Sequence, residues 1–306
     1  MFKGLLKVLV AAATSCWSVI SGGPKSPSVP LLQRGKDVAV GAPQVTDIES
    51  RRVAKVFLIG AGPGAPDLLT LRAARLLAHA DIVFYDALVH PDTVALAVKA
   101  KKVAVGKRAG QVSTDQRFIN RNLVEAAARY QTVVRLKGGD PMLFGRAQEE
   151  IDELNAAGIA YEVVPGITAA LAASAQLGVS LTRRGLARSV TFATPRIGPD
   201  ENASEWANSV LNADTAVLYM AAGQAPQIAA ALMAQGKSAN TPVVVVESVT
   251  LPEERRIHTH LAGLSASALN LSGPAVLCIG EVFRLQSAGH EESLLGALQV
   301  SRSSVA

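Results

Sequence analysis

Between Lys55 and Val164 five short apolar runs alternate with stretches of helical periodicity, and this alternation restricts the chain to an α/β architecture more than any other feature. Residues 56–60 read as a buried strand, and residues 67–79 place Leu68, Leu71, Leu76 and Leu77 at helical spacing. The same reading gives strands at 82–85, 103–105, 132–136 and 161–164, and helices at 91–100, 116–129 and 146–157, the last stopped by Gly158. Strands separated by helices of ten to fifteen residues imply a parallel sheet covered on both faces. Pro165-Gly166 breaks the rhythm and a short apolar helix follows at 167–177. A second unit then runs through strand 189–194, helix 203–212, strand 215–220, helix 225–235 and strand 242–247. Residues 255–260 alternate in polarity and follow that strand after a loop containing Pro252, which suggests antiparallel pairing; 276–282 is a last strand. The expectation is two α/β domains, a parallel-sheet first domain over 53–165 and a mixed-sheet second domain over 166–286, with the active-site cleft between them and a tail at 287–306.

With 49% hydrophobic and 18% charged residues the 306-residue chain has apolar surface enough for real cores. Its net charge of +5 suits an anionic small molecule, and no stretch interleaves aromatics with Lys and Arg in the way single-strand binders do, so nucleic acid is not the expected partner. Cys16 and Cys278, the only cysteines, lie far apart in sequence, which argues against a disulfide framework and for a reducing cytoplasm. His258 and His260 share a strand face without an evident third ligand, so no metal is expected. Lys3 and Lys7 precede an apolar stretch at 8–20 and then Ser21-Gly22-Gly23-Pro24, a layout like a signal peptide but with no clear small-x-small cleavage site. Residues 1–52 are read as a poorly ordered extension, with membrane contact by this arm left open.

Function concentrates in residues 135–145, Arg-Leu-Lys-Gly-Gly-Asp-Pro-Met-Leu-Phe-Gly, at the carboxyl end of the fourth strand. Two glycines let backbone approach a ligand closely, a carboxylate follows, and Pro141 ends the strand; the same residue types also make ordinary turns. Residues 60–65, Gly-Ala-Gly-Pro-Gly-Ala, satisfy the loose dinucleotide pattern, and Asp86 ends the next strand where a ribose-binding acid would sit. A pyrophosphate loop, however, opens its helix beside the second glycine to present free amides. Pro63 and Pro66 each remove one, so an extended glycine-rich lip fits better than a nicotinamide-cofactor site. Asp86, Lys107 and Arg108, and Val164-Pro165-Gly166-Ile167-Thr168 fall at the same sheet edge. In open parallel sheets ligands collect at that edge.

Taken together, Gly-Ala-Gly-Pro-Gly, Tyr85-Asp-Ala-Leu-Val89, Gly106-Lys-Arg-Ala-Gly110, Arg-Leu-Lys-Gly-Gly-Asp-Pro, Glu162-Val-Val-Pro-Gly-Ile-Thr-Ala169 and Gly178-Val-Ser-Leu-Thr182 resemble the tetrapyrrole methylases, nearest to members that methylate uroporphyrinogen III. The resemblance covers about Lys55 to Val282. It implies a homodimer in which S-adenosyl-L-methionine lies between two domains and methylates two pyrrole carbons, giving precorrin-2 for sirohaem and cobalamin. Position by position it makes Pro63, Gly138, Gly139, Asp140, Leu143, Thr168, Ala169, Met220 and Val249 cofactor contacts, Asp86 a proton acceptor and Lys107 a proton donor. Arg108, Arg146, Arg183 and Arg184 then suit the carboxylates of the acidic tetrapyrrole.

The chain departs from the family pattern at Ala65, where relatives carry Asp, and at Thr182-Arg183-Arg184, Thr194-Pro195-Arg196 and Val249, which replaces a glycine. Another precorrin methyltransferase, a catalytically silent cofactor-binding paralogue and, further off, an NAD-dependent oxidoreductase remain the alternatives.

Overall fold

The computed structural model describes residues 54–106, 116–197, 205–264 and 270–284. The proposed N-terminal extension and C-terminal tail lie outside them, as do Lys107 and Arg108.

The first sheet is built from β1 (Lys55–Gly60), β2 (Ile82–Tyr85), β3 (Lys101–Ala104), β4 (Thr132–Lys137) and β5 (Ala160–Val164). Their order is β3-β2-β4-β1-β5 and every pairing is parallel. Side chains alternate across the sheet, so the two faces form two cores. On one face Val56, Leu58, Ile82, Phe84 and Val133 pack beneath α3 (Gln116–Ala127) and α4 (Ala147–Ala156). On the other Ile59, Val83, Val134 and Leu136 meet α1 (Leu71–Ala78) and residues around α2 (Pro91–Ala95). Leu58, Leu123, Leu136 and Leu154 are wholly buried; such burial stabilises by about 1.5–3 kcal/mol per large side chain, most of it offset by chain entropy.

The elements depart from the sequence reading mainly at their ends. Residues 66–68 form a single 3-10 turn, and α1 starts only at Leu71, where the Thr70 hydroxyl accepts a hydrogen bond from the Ala73 amide at 3.2 Å. The helix read over 91–100 stops at Ala95, and β3 starts at Lys101 rather than 103. An edge strand admits lysine, and Lys101 and Lys102 are both exposed.

Past Pro165-Gly166, α5 (Ala169–Leu177) ends on Gly178 in the left-handed conformation usual for a helix stop. The second sheet contains β6 (Val190–Ala193), β7 (Thr215–Tyr219), β8 (Pro242–Glu247), β9 (Arg255–His260) and β10 (Ala275–Gly280), in the order β6-β7-β10-β8-β9. Only β6 and β7 pair in parallel; β8 and β9 are antiparallel, as the Pro252 loop suggested, and β10 inserts antiparallel between β7 and β8. One face is covered by α6 (Trp206–Asn212) and α7 (Ala225–Ala234), the other by α5 and the residues after β10. The architecture is therefore two α/β sheets, one all-parallel and one mixed. Because β10 runs against its neighbours, β6, β7 and β8 end at one edge.

Candidate active site

The carboxyl ends of β1, β4 and β5 meet through bare backbone. A Cβ on Gly60 would lie 2.6 Å from the Gly166 Cα and 2.7 Å from the Gly139 oxygen, so no side chain fits there. Gly62 and Gly139 form an antiparallel bridge: the Gly139 amide donates to the Gly62 oxygen at 2.7 Å and the Gly62 amide to the Gly139 oxygen at 3.2 Å. Both have positive φ, 77° and 67°, which glycine adopts without strain. The glycine-rich lip thus folds onto the Gly-Gly loop instead of opening a helix, as its two prolines predicted.

Asp140 closes this arrangement. Its two carboxylate oxygens accept from the Met142 amide at 2.8 Å and the Gly166 amide at 2.9 Å, tying the β4 loop to the β5 loop. The sequence reading aimed this carboxylate at a cofactor. In the fold its established contacts are to the loops, and each oxygen keeps a second lone pair for a ligand.

The second lobe supplies the opposite wall at two places. Tyr219, at the end of β7, lies 2.6 Å from the Thr168 hydroxyl through its own and accepts from the Ala170 amide at 3.0 Å. Burial raises the Tyr219 pKa, against these two bonds. The Phe144 ring, on the Asp140 loop, stands 5.1 Å from the Tyr219 ring. Phe144, Arg146 and Met220 all adopt left-handed φ near 54°, an uncommon conformation for non-glycine residues that clusters at functional sites. Elsewhere the Ala65 amide donates to the Thr250 hydroxyl at 3.0 Å, and Gly64 packs so tightly that a Cβ would lie 2.9 Å from Leu251. An open depression of about 460 Å³ beside this contact is lined by Gln176, Thr250, Leu251, Glu254 and Arg256. None of the site residues expected from the sequence lines it.

These contacts tie together the loops that carry Gly138, Gly139, Asp140, Leu143, Thr168, Ala169 and Met220, with Pro63 on the adjoining lip. Met220 is exposed. Val249 instead turns into the core with Val246 and Phe283; its bulk is absorbed there. Arg146 clamps Glu149 through two 2.7 Å bonds at the start of α4. Arg183 and Arg184 sit on an exposed loop between α5 and β6, where the Arg183 amide and oxygen pair with Ala187. Among the described residues no hydrogen bond or ion pair joins their side chains to the glycine loops.

Asp86 is reached from beneath by a charge cluster that the sequence reading missed. Ile82, Phe84 and Asp86 face the α3/α4 side, as do Val133, Arg135 and Lys137. The Arg135 guanidinium donates to Asp86 Oδ1 at 2.6 Å and to Glu150 Oε1 at 2.9 Å, and the Lys137 ammonium reaches that same Glu150 oxygen at 2.9 Å. Arg135 and Lys137 are 3% exposed and Glu150 not at all, whereas Asp86 keeps 27%. Burial works against the Arg135 charge, but Asp86 and Glu150 outweigh it and raise its pKa. Burial, with Arg135 close by, lowers that of Lys137. The missed signal was legible: two cations alternate within a strand that is otherwise buried, and Glu150 lies on the face of α4 that also carries Ala147, Ile151 and Leu154.

Among the described residues no group of three His, Cys, Asp or Glu side chains is placed to hold a metal ion, and no helix is long and apolar enough to cross a membrane.

The Tetrapyrrole (Corrin/Porphyrin) Methylases model matches residues 55–265. The chain is 45% identical over 239 residues to a siroheme synthase of Azotobacter vinelandii, covering 77% of this chain and 52% of that protein. It is 44% identical over 232 residues to a uroporphyrinogen-III C-methyltransferase of Pseudomonas aeruginosa, covering 75% of this chain and 94% of that one. Among solved structures, uroporphyrin-III C-methyl transferase from Thermus thermophilus complexed with S-adenyl homocysteine is 39% identical with a TM-score of 0.67, covering 76% of this chain and 99% of that one. The chain spans about half the length of the siroheme synthases it matches. On fold, glycine architecture and sequence, the chain belongs to the tetrapyrrole (corrin/porphyrin) methylases.

Proposed function

We propose that this chain is an S-adenosyl-L-methionine-dependent C-methyltransferase that converts uroporphyrinogen III to precorrin-2. The observation that carries the reading is the partly exposed Asp86 carboxylate, fixed by buried Arg135 beside the side-chain-free glycine loops. The Pseudomonas and Thermus relatives add the reaction class and the donor.

The residues fit such a donor. A Cβ on Gly139 would meet only the Thr168 Cα, at 3.9 Å, so the loop leaves open space above it. The Gly138–Leu143 loop, Thr168, Ala169 and the Met220 backbone would hold the cofactor, with Asp140 offering lone pairs to its hydroxyl or ammonium groups. Pro63 flanks it, and Val249 supports the loop from the core. The bound donor supplies an electrophilic sulfonium methyl, which an electron-rich pyrrole carbon can attack without a metal. Orientation of the two partners is the protein's main contribution. Asp86 then accepts the proton released from the methylated ring, and Lys107 donates where a proton is returned. Arg108, Arg146, Arg183 and Arg184 supply positive charge for the substrate's carboxylates, as a homodimer in the cytoplasm.

Incubation with uroporphyrinogen III and S-adenosylmethionine, followed by mass analysis, tests this. The expected product carries two added methyl groups; tight donor binding with no methylated product would instead mark a silent paralogue.

A further inference from the structure

The four charges beneath the opening at Asp86, the exposed end of the cluster, are unequal in their access to solvent. Of Asp86, Arg135, Glu150 and Lys137, only Asp86 has appreciable exposed surface. Glu150 is the hub. Its Oε1 accepts from Arg135 Nε, Lys137 Nζ and the Gln116 amide at 2.9, 2.9 and 3.1 Å, while Oε2 is buried with no partner among the described residues. Gln116 also donates to Asn120, whose amide reaches the Glu149 carbonyl, so α3 and α4 hold the carboxylate from both sides.

This is a costly way to stabilise a domain. A buried carboxylate with one oxygen unsatisfied loses solvation that its ion pairs do not fully return, and apolar side chains in such places are often as stable. Ala147, Ile151 and Leu154 already make the surrounding face of α4 apolar. What the cluster does provide is a guanidinium gripped at one end, so that its other end meets Asp86 in one orientation.

We propose that Glu150 is a positioning residue for proton acceptance: acting through Arg135, it fixes the Asp86 carboxylate at the opening, and with Lys137 it keeps the buried set neutral. The proposal rests on the functional reading above and extends it to a residue that touches neither substrate nor donor. Two acids and two bases sum to zero charge. A Glu150→Gln variant leaves the set with one excess positive charge and a loosened Arg135; a Lys137→Met/Glu150→Gln double variant restores neutrality.

The test compares single-turnover methyl transfer, substrate KM and calorimetric affinity for S-adenosylhomocysteine. Losing one charge-assisted bond predicts a fall in rate of about thirtyfold for Glu150→Gln, with KM and affinity held within about threefold. The double variant should recover at least about a third of that loss on a logarithmic scale, as expected for coupled neighbours. An unchanged rate, a parallel loss of affinity, or a double variant no faster than the single one would each overturn the proposal. A crystal structure of Glu150→Gln asks the same question without turnover. Asp86 should leave its 2.6 Å contact with Arg135, and a pair that has not moved overturns the proposal even if wild-type protein methylates no uroporphyrinogen III.

Discussion

The two sheets handle charge in opposite ways. The first places Arg135 and Lys137 on its central strand and buries them against Glu150. In the second, β7, β8 and β10 are built mainly from Val, Ala, Leu and Ile, and their buried carboxylate, Glu247, sits at a strand end where it accepts from the Ser272 and Gly273 amides at 2.6 Å. A rim carboxylate of this kind organises a turn. A cluster inside a sheet does not, and of its four side chains Asp86 alone keeps appreciable exposed surface, which is where the proposed function places proton acceptance.

The largest effect that this contrast predicts is at Asp86. Asp86→Ala should lower turnover by about a thousandfold, the range for a positioned acid or base, while S-adenosylhomocysteine affinity stays near the wild-type value by calorimetry. Unchanged turnover would place the proton acceptor elsewhere and dissolve the contrast. Next comes the backbone junction of the first lobe. Gly60→Ala forces a methyl group against the Gly166 and Gly139 backbone and should cost about 3 kcal/mol or more in denaturant unfolding. An equal cost at Gly223 of the second lobe, where a Cβ meets nothing within 4 Å, would deny that close backbone packing is special to the first lobe.

A smaller change sharpens the role of the wall. Tyr219→Phe keeps the ring beside Phe144 but removes the hydroxyl bonded to Thr168 and Ala170. About 1 kcal/mol is at stake, or a severalfold weaker S-adenosylhomocysteine affinity with turnover at saturation little changed; a loss in kcat alone would move Tyr219 into the chemistry. The smallest effect concerns the second core. Burial pushes the Cys278 thiol up to about 12, so in a Cys16→Ser background it should resist alkylation at pH 8 until the protein unfolds. Rapid labelling of native protein would mean that this core opens more readily than the first.

The sequence carried the strand order of events well but not its edges. Apolar runs at 56–60 and 132–136 and the Pro252 turn translate directly into β1, β4 and the β8–β9 pair, because periodicity reports burial and pairing follows from it. Lys101 and Lys102 in β3 were missed because their strand character comes from β2, not from their own side chains. The course of the two-glycine loop and of the proline-rich lip was legible because glycine and proline leave few backbone alternatives. Glu150 was not, since helical spacing alone cannot tell a buried carboxylate from a solvated one before α4 is laid against β4. The aromatic contact between Phe144 and Tyr219 joins residues far apart in sequence, so no local pattern announces it. Lys107 and Arg108, both singled out as functional, lie outside the described residues.

The contact of Ala65 and Gly64 with Thr250 and Leu251 has a consequence for how the molecule comes apart. It joins the first lobe's opening loop to the segment after β8, while the Phe144 ring of the first lobe meets Tyr219 of the second. Neither half can lose its structure without stripping these partners from the other. Heating should therefore produce one calorimetric peak, with no surviving half-molecule between the native and denatured populations.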